Sequence, residues 1–158
     1  MQITIAGTSY VGLSNAVLLA QHNKVYAVDT IPEKVDMLNN KKSLIQDKEL
    51  QVYLHTKELD LIVTTNSEEL YGNADFVIVF TPTNYNPKKN YFDISSVEAV
   101  IKQVLEVNNK AYIVVKSTIP VGFTEKCRRN LIPEESINYN TWYASFFRFL
   151  YQDEGIKI

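Results

Sequence analysis

The sequence predicts an α/β fold, a doubly wound parallel sheet with helices on both faces, and three observations carry that expectation. Short β-branched runs alternate with stretches of helical period along roughly the first 130 residues. The run Asp75-Phe-Val-Ile-Val-Phe80 is apolar throughout after its first residue, as a central strand covered on both faces should be. Gly7 closes the first β-branched run just where a helical pattern begins.

Gln2 to Ala6 reads as a strand, and Tyr10 to His22 as a helix with Val11, Leu13, Val17 and Leu18 at helical spacing. Lys24 to Asp29 is a second strand closed by an acid, and Pro32 starts a helix reaching about Asn39. Asp47 is placed to cap a short helix carrying Leu50, Val52, Tyr53 and Leu54, and Leu59 to Thr64 reads as a third strand. After the Asp75–Phe80 strand, Asp93 or Ser95 caps a helix whose Val97, Val100, Ile101, Val104 and Leu105 form one apolar stripe. Ala111 to Val115 is a fifth strand, and a helix follows Gly122. Beyond about Asn130 the alternation fails. Seven of the chain's 18 aromatic residues crowd between Tyr139 and Tyr151, so the expected division is a domain over 1–130 and a divergent aromatic-rich tail over 131–158.

Composition bounds the function. With 158 residues, 46% of them hydrophobic and 22% charged, the chain suits one globular core. A formal charge of -2 and no basic stripe argue against nucleic acid as a partner. The longest apolar stretches reach about half of the ~20 residues a membrane span needs, and the N-terminus has no signal-peptide pattern, so no membrane partner is expected. One cysteine, Cys127, excludes an intramolecular disulfide framework or a Cys-rich metal site and suits a cytoplasmic location.

The chemistry sits in the loops. Gly7-Thr-Ser-Tyr-Val-Gly12 follows the first strand and opens the first helix, and Asp29 ends the second strand 22 residues past Gly7. That is the context of a dinucleotide-binding turn: Gly7 permits the turn, Gly12 lets helix and strand pack closely, and the helix N-terminus faces a pyrophosphate. Asp29 is expected to accept both hydroxyls of an adenosine ribose and to repel a 2′-phosphate; with no arginine beside it, NAD is favoured over NADP. Ser9 departs from the pattern, standing where a glycine normally lets backbone approach phosphate. A strand-turn-helix that merely uses two glycines fits the same residues. Thr81-Pro-Thr83 and Lys116-Ser-Thr-Ile-Pro-Val-Gly122 follow the fourth and fifth strands, at the strand ends where open α/β sheets bind ligands, and ordinary turn chemistry explains them equally well. His22, at the end of the first helix where it favours the dipole, and His55, at a polar helix end, have no neighbouring nucleophile and are assigned to surface structure.

Gly7 to Leu13 with its Tyr-Val-Gly-Leu, Asp29 with Lys34 five residues on, Thr81-Pro-Thr83 and Lys116 to Thr124 occur in one order, and together they resemble the NAD-binding Rossmann-type domain of the UDP-glucose/GDP-mannose dehydrogenase family. Asn84 to Pro87, Asn90 to Asp93 and Ser95 to Glu98 are more similar to the branch acting on UDP-glucose. The likeness covers about residues 1–126. It implies NAD as cofactor, with Val11, Asp29, Lys34, Thr83 and Thr118 at NAD-contacting positions beside Gly7 and Gly12, and Thr118 near the reacting centre, where its hydroxyl helps to position a water.

The same resemblance implies two NAD-dependent oxidations of the sugar C6 alcohol through a cysteine thiolate, on a helix and domain beyond this chain's length. The family's Pro-Glu-Phe-Leu-Arg-Glu-Gly type segment has only Ser145 to Leu150 and Asp153 to Gly155 to answer it, and no role passes to Glu154. Cys127 matches no catalytic position and is expected to be a semi-buried or surface structural thiol. The expectation is therefore a shortened NAD-binding domain, inactive alone, that meets UDP-glucose only where the other half is supplied. Family members are homodimers, but their dimer helix has no counterpart here. A non-catalytic NAD-binding module remains the alternative, and a methyltransferase reading leaves Lys116–Gly122 without a place.

Overall fold

The computed structural model describes residues 1–43, 45–87 and 91–131. Five strands form one parallel sheet: β1 (Gln2–Ala6), β2 (Lys24–Val28), β3 (Leu61–Thr64), β4 (Phe76–Val79) and, after a small hairpin, β7 (Tyr112–Val115), in the order β3-β2-β1-β4-β7. Ile3 pairs with Val25 on one side and Phe76 on the other, so β1 is the strand at which the order reverses. In such a sheet the crevice for a ligand opens at the C-terminal ends of the two strands flanking the reversal.

Helices cover both faces. On one face α1 (Tyr10–Leu19), α2 (Pro32–Asn39) and α3 (Lys48–Thr56) bury Leu13, Ala16, Val17, Val35, Leu38, Leu50 and Leu54 against Ile3, Ile5, Val25, Ala27 and Val63. On the other, α4 (Glu68–Gly72), α5 (Ser95–Val107) and α6 (Phe123–Leu131) bring Tyr71, Val97, Val100, Ile101, Val104, Phe123 and Cys127 onto Val77, Val79, Ile113 and Val115. The strand residues divide by the two-residue period of the pleat, which is why near-continuous apolar runs are needed. The doubly wound parallel fold expected from the sequence is therefore the one observed.

Several elements differ in detail from the expectation. α1 ends at Leu19 and not at His22, because the Leu19 carbonyl is taken by the N–H groups of His22 and Asn23 at 3.2 and 3.0 Å and by the Asn23 side chain at 3.1 Å. His22 is exposed beyond the helix end, whereas His55 is exposed in the last turn of α3. Val11 and Leu18 point outward, and α1 packs through Gly12, Leu13, Ala16 and Val17. β4 is central, yet Phe76 and Ile78 are only half-buried, with Phe76 stacked on Tyr112 at 5.0 Å between ring centroids; its fully covered side carries Val77 and Val79. Asp47 caps α3, its Oδ1 accepting the Leu50 N–H at 2.9 Å. Asp93 acts at the start of α5, Oδ1 accepting both the N–H and hydroxyl of Ser95.

Helix α4 and the antiparallel hairpin β5 (Asn84–Asn86) with β6 (Tyr91–Asp93) were not anticipated. Rings of Tyr85 and Phe92 meet across the hairpin at 4.7 Å. The aromatic-rich segment expected beyond residue 130 lies outside the described residues apart from its first position. Among the described residues no helix is long and apolar enough to cross a membrane, and no group of His, Cys, Asp and Glu side chains has a metal-binding arrangement.

Candidate dinucleotide site

β1 ends in a turn that only glycine fits. Gly7 has φ +101°, and a Cβ there would lie 3.0 Å from the Phe80 carbonyl oxygen. Gly12 is needed for approach: a Cβ on it would stand 2.1 Å from the Gly7 carbonyl oxygen, so any side chain would force α1 away from the end of β1. Ser9, the N-cap of α1, has φ -63° and ψ 175°, extended backbone that any residue adopts. No side chain caps α1, and no acidic residue occupies its first turn, so the positive end of the helix is open to an anion.

Asp29, one residue past β2, is held against this turn. Oδ2 accepts the Thr8 N–H at 3.2 Å, the Thr8 hydroxyl, and the Lys34 ammonium at 2.7 Å, whereas Oδ1 accepts the Ile31 N–H at 3.2 Å. Burial by itself would push the Asp29 carboxyl up, but bonds from Lys34 and Thr8, the Lys34 charge and the Ile31 N–H outweigh it and leave the group below its ordinary value. Asp29 is thus a carboxylate at neutral pH. The strand-end reading omitted the cation that Lys34 sets on this acid, and three donors on Oδ2 leave less room for a ribose diol than two open carboxylate oxygens would.

A cavity of about 490 Å³ opens here, within the span of about 300–1,000 Å³ usual for small-molecule sites. Its lining takes in Gly7, Thr8 and Ser9 from the turn after β1, Asp29 and Lys34, Tyr71 of α4 and Val100 of α5, and Thr81 with Pro82 after β4. Tyr71 is 1% exposed, and burial pushes its phenol up to about 12, so it stays neutral. Thr81 Oγ1 is buried without a hydrogen-bond partner, a group that a polar ligand atom would satisfy. An open helix N-terminus, a carboxylate at the tip of β2 and an orphaned hydroxyl fit the pyrophosphate and ribose of a dinucleotide.

Of the residues singled out from sequence, Gly7, Asp29 and Lys34 line this cavity together. Val11, exposed, and Gly12, buried, belong to the first turn of α1 outside its lining; Thr83 and Thr118 are half-buried in the loops after β4 and β7. Those loops are tied together, the Ser117 hydroxyl donating to the Thr81 carbonyl at 2.6 Å and its N–H to the Val79 carbonyl at 3.1 Å. Cys127 is more buried than expected, 3% exposed in the core under α6; burial first and Glu98 second push its thiol up to about 11. Sequence reasoning missed Thr8 and Tyr71. A hydroxyl directly after the turn glycine was the available signal for Thr8; Tyr71 gave none, because its helix has only five residues.

The family model for the NAD-binding domain of the UDP-glucose/GDP-mannose dehydrogenase family matches residues 1–147. The chain belongs to that family. As the family's NAD-binding domain, it takes NAD as its cofactor. Its relatives include the UDP-glucose 6-dehydrogenase of Streptococcus pneumoniae, 49% identical over 128 residues, and that of Campylobacter jejuni, 38% identical over 131 residues. These alignments cover 81% and 82% of this chain but 32% and 33% of the relatives, so the chain spans about a third of the curated proteins it matches. Among solved structures, UDP-D-ManNAc dehydrogenase from Pyrococcus horikoshii superposes with a TM-score of 0.73 at 30% identity, covering 83% of this chain and 32% of that one. A ternary complex of GDP-mannose dehydrogenase from Pseudomonas aeruginosa gives 0.70 at 25% identity, covering 83% and 30%.

Proposed function

We propose that this chain is the NAD-binding part of a dehydrogenase that oxidises the C6 alcohol of UDP-glucose, and that its 158 residues bind NAD without turning over the sugar alone. The observation that carries the cofactor half is Asp29, a carboxylate at the tip of β2 facing a cavity beside the open N-terminus of α1. UDP-glucose is preferred among the family's nucleotide sugars because the relatives of that name reach 49% identity.

When bound, NAD supplies the hydride acceptor. Gly7 and the N-terminal amides of α1, with Val11 beside them and Gly12 letting the helix approach, would receive the pyrophosphate; Asp29 and Lys34 would hold the adenosine ribose; Thr83 and Thr118, on the loops joined through Ser117, would hold the half that carries the reacting ring. Residues 1–130 are the unit that binds it. The thiolate chemistry implied by the family resemblance needs an exposed, ionisable cysteine, and this chain's one cysteine is buried and neutral. UDP-glucose is therefore a partner only of an assembly in which the remainder of the dehydrogenase is present, and such an assembly is expected to be oligomeric.

Calorimetry on the 158-residue chain tests the reading. NAD should bind, NADP should bind at least roughly ten-fold more weakly, and Asp29→Ala should abolish that preference. Equal affinity for the two dinucleotides, or no loss on Asp29→Ala, overturns the assignment.

A further inference from the structure

We propose that Thr8 is a positioning residue for cofactor choice: it occupies one oxygen of the Asp29 carboxylate with its N–H and hydroxyl, and so turns the other oxygen towards the ribose of the dinucleotide. The inference rests on the reading of this cavity as the NAD site. Its basis is an imbalance between two chemically equal oxygens. Oδ2 receives the Thr8 N–H, the Thr8 hydroxyl and the Lys34 ammonium, whereas Oδ1 receives the Ile31 N–H alone. A carboxylate offers about four lone-pair sites across its two oxygens, so Oδ2 is filled and the remaining capacity lies on Oδ1.

Thr8 is suited to fix that asymmetry because it is 0% exposed and lies in the turn between Gly7, with its positive φ, and the closely packed Gly12. Lys34, the charged side chain bonded to Asp29, cannot do so alone, since its flexible stem follows the carboxylate wherever it rotates. Without the Thr8 hydroxyl the carboxylate keeps the Thr8 N–H on Oδ2 and the Ile31 N–H on Oδ1 but tilts about its broad terminal torsion, so that the Lys34 ammonium is shared with Oδ1. A ribose hydroxyl then meets a filled oxygen. A 2′-phosphate gains in relative terms, because the carboxylate no longer holds its charge at a fixed point.

The test compares the wild type, Thr8→Val and Thr8→Ser by calorimetry with NAD and NADP. Thr8→Val should weaken NAD roughly ten-fold and shrink the preference over NADP by a similar factor, and Thr8→Ser should stay within about two-fold of the wild type on both counts. A purely packing role predicts the reverse order, since valine keeps the shape and serine loses the methyl. Unchanged affinity and preference in a folded Thr8→Val overturns the proposal. If Thr8→Val does not fold, the wild type decides: its Thr8 hydroxyl proton should give a slowly exchanging NMR resonance at neutral pH that vanishes when Asp29 is protonated, and absence of that resonance also overturns it. Failure of the wild type to bind NAD is a separate result that removes the functional reading, while the resonance still reports whether Thr8 holds Asp29.

Discussion

The Lys34 ammonium lies 2.7 Å from Oδ2 of Asp29, and the two side chains are 22% and 10% exposed. An ion pair lining the cavity proposed for the cofactor bears on both stability and specificity. It neutralises part of the charge that Asp29 would otherwise present to a 2′-phosphate, yet the ammonium is already committed to the carboxylate and is not free to serve as a phosphate site.

The pair makes a prediction about acid. Because the folded-state carboxyl of Asp29 is depressed, its contribution to stability is full above the unfolded value of about 3.9 and is lost as pH falls through the lower folded value. Asp29→Asn should therefore lower stability at neutral pH but lose its effect in strong acid, so that the two unfolding curves converge as pH falls below about 4. Denaturant unfolding followed by circular dichroism across pH 2–7 measures this; a difference that stays constant over that range contradicts the depressed carboxyl.

Gly12 carries the close contact of α1 with the end of β1. Gly12→Ala places a methyl 2.1 Å from the Gly7 carbonyl oxygen, which is backbone and has no rotamer by which to retreat. The expected outcome is a loss of about 3 kcal/mol or more together with loss of NAD binding, because the helix N-terminus moves off the phosphate. A chemical denaturation midpoint within error of the wild type would show that the helix accommodates the methyl.

The difference between Gly12 and Ser9 shows what the sequence could and could not yield. The spacing of Gly7, Gly12 and Asp29 pointed to this turn because the turn, the close approach and the acid each demand a residue type at a fixed offset, and the structure brings Gly7 and Asp29 to one cavity. Strands were legible because parallel strands covered on both faces are apolar on both, as β4 shows, with Val77 and Val79 on the α4–α6 side and Phe76 and Ile78 on the α1–α3 side. Helix α4 was too short for a period to develop, and the β5–β6 hairpin, across which the rings of Tyr85 and Phe92 meet, has three-residue strands too short for an alternation to show. Of the apolar residues at helical spacing on α1, Leu13 and Val17 pack on the sheet beside the small Gly12 and Ala16, whereas Val11 and Leu18 face outward. Pairings made across turns, such as Thr8 and Lys34 onto Asp29, depend on a fold that one-dimensional spacing does not contain.

Ser9 tests whether the turn tolerates a side chain without cost. Its φ of -63° makes glycine unnecessary for the backbone itself, so any penalty comes from the CH₂OH group standing against the pyrophosphate. Ser9→Gly is expected to tighten NAD by on the order of 1 kcal/mol, comparable with one ordinary hydrogen bond, with little change in stability. Calorimetry reads the change; an unchanged or weaker affinity would mean that the hydroxyl donates to the cofactor as effectively as closer backbone would.

Cys127 joins the fold to the proposed lack of turnover. Its side chain is 3% exposed in the core beneath α6, and its thiol is pushed up to about 11, so at pH 7.5 almost none is ionised. Alkylation by iodoacetamide should proceed only through opening of the structure and accelerate sharply in denaturant. A thiolate nucleophile must also stand in near-attack geometry to a sugar carbon, whereas Cys127 packs in the cluster that holds Phe123, Ile113 and Val115. Cys127→Ser should cost about 1–3 kcal/mol, the usual consequence of burying a hydroxyl without a partner, and should leave NAD affinity unchanged because the residue does not line the cavity. NADH absorbance with UDP-glucose should stay flat for both the wild type and Cys127→Ser while calorimetry shows NAD bound. Turnover in the wild type that disappears in the variant would make Cys127 the nucleophile and overturn both its structural role and the proposal that these residues bind NAD without oxidising the sugar.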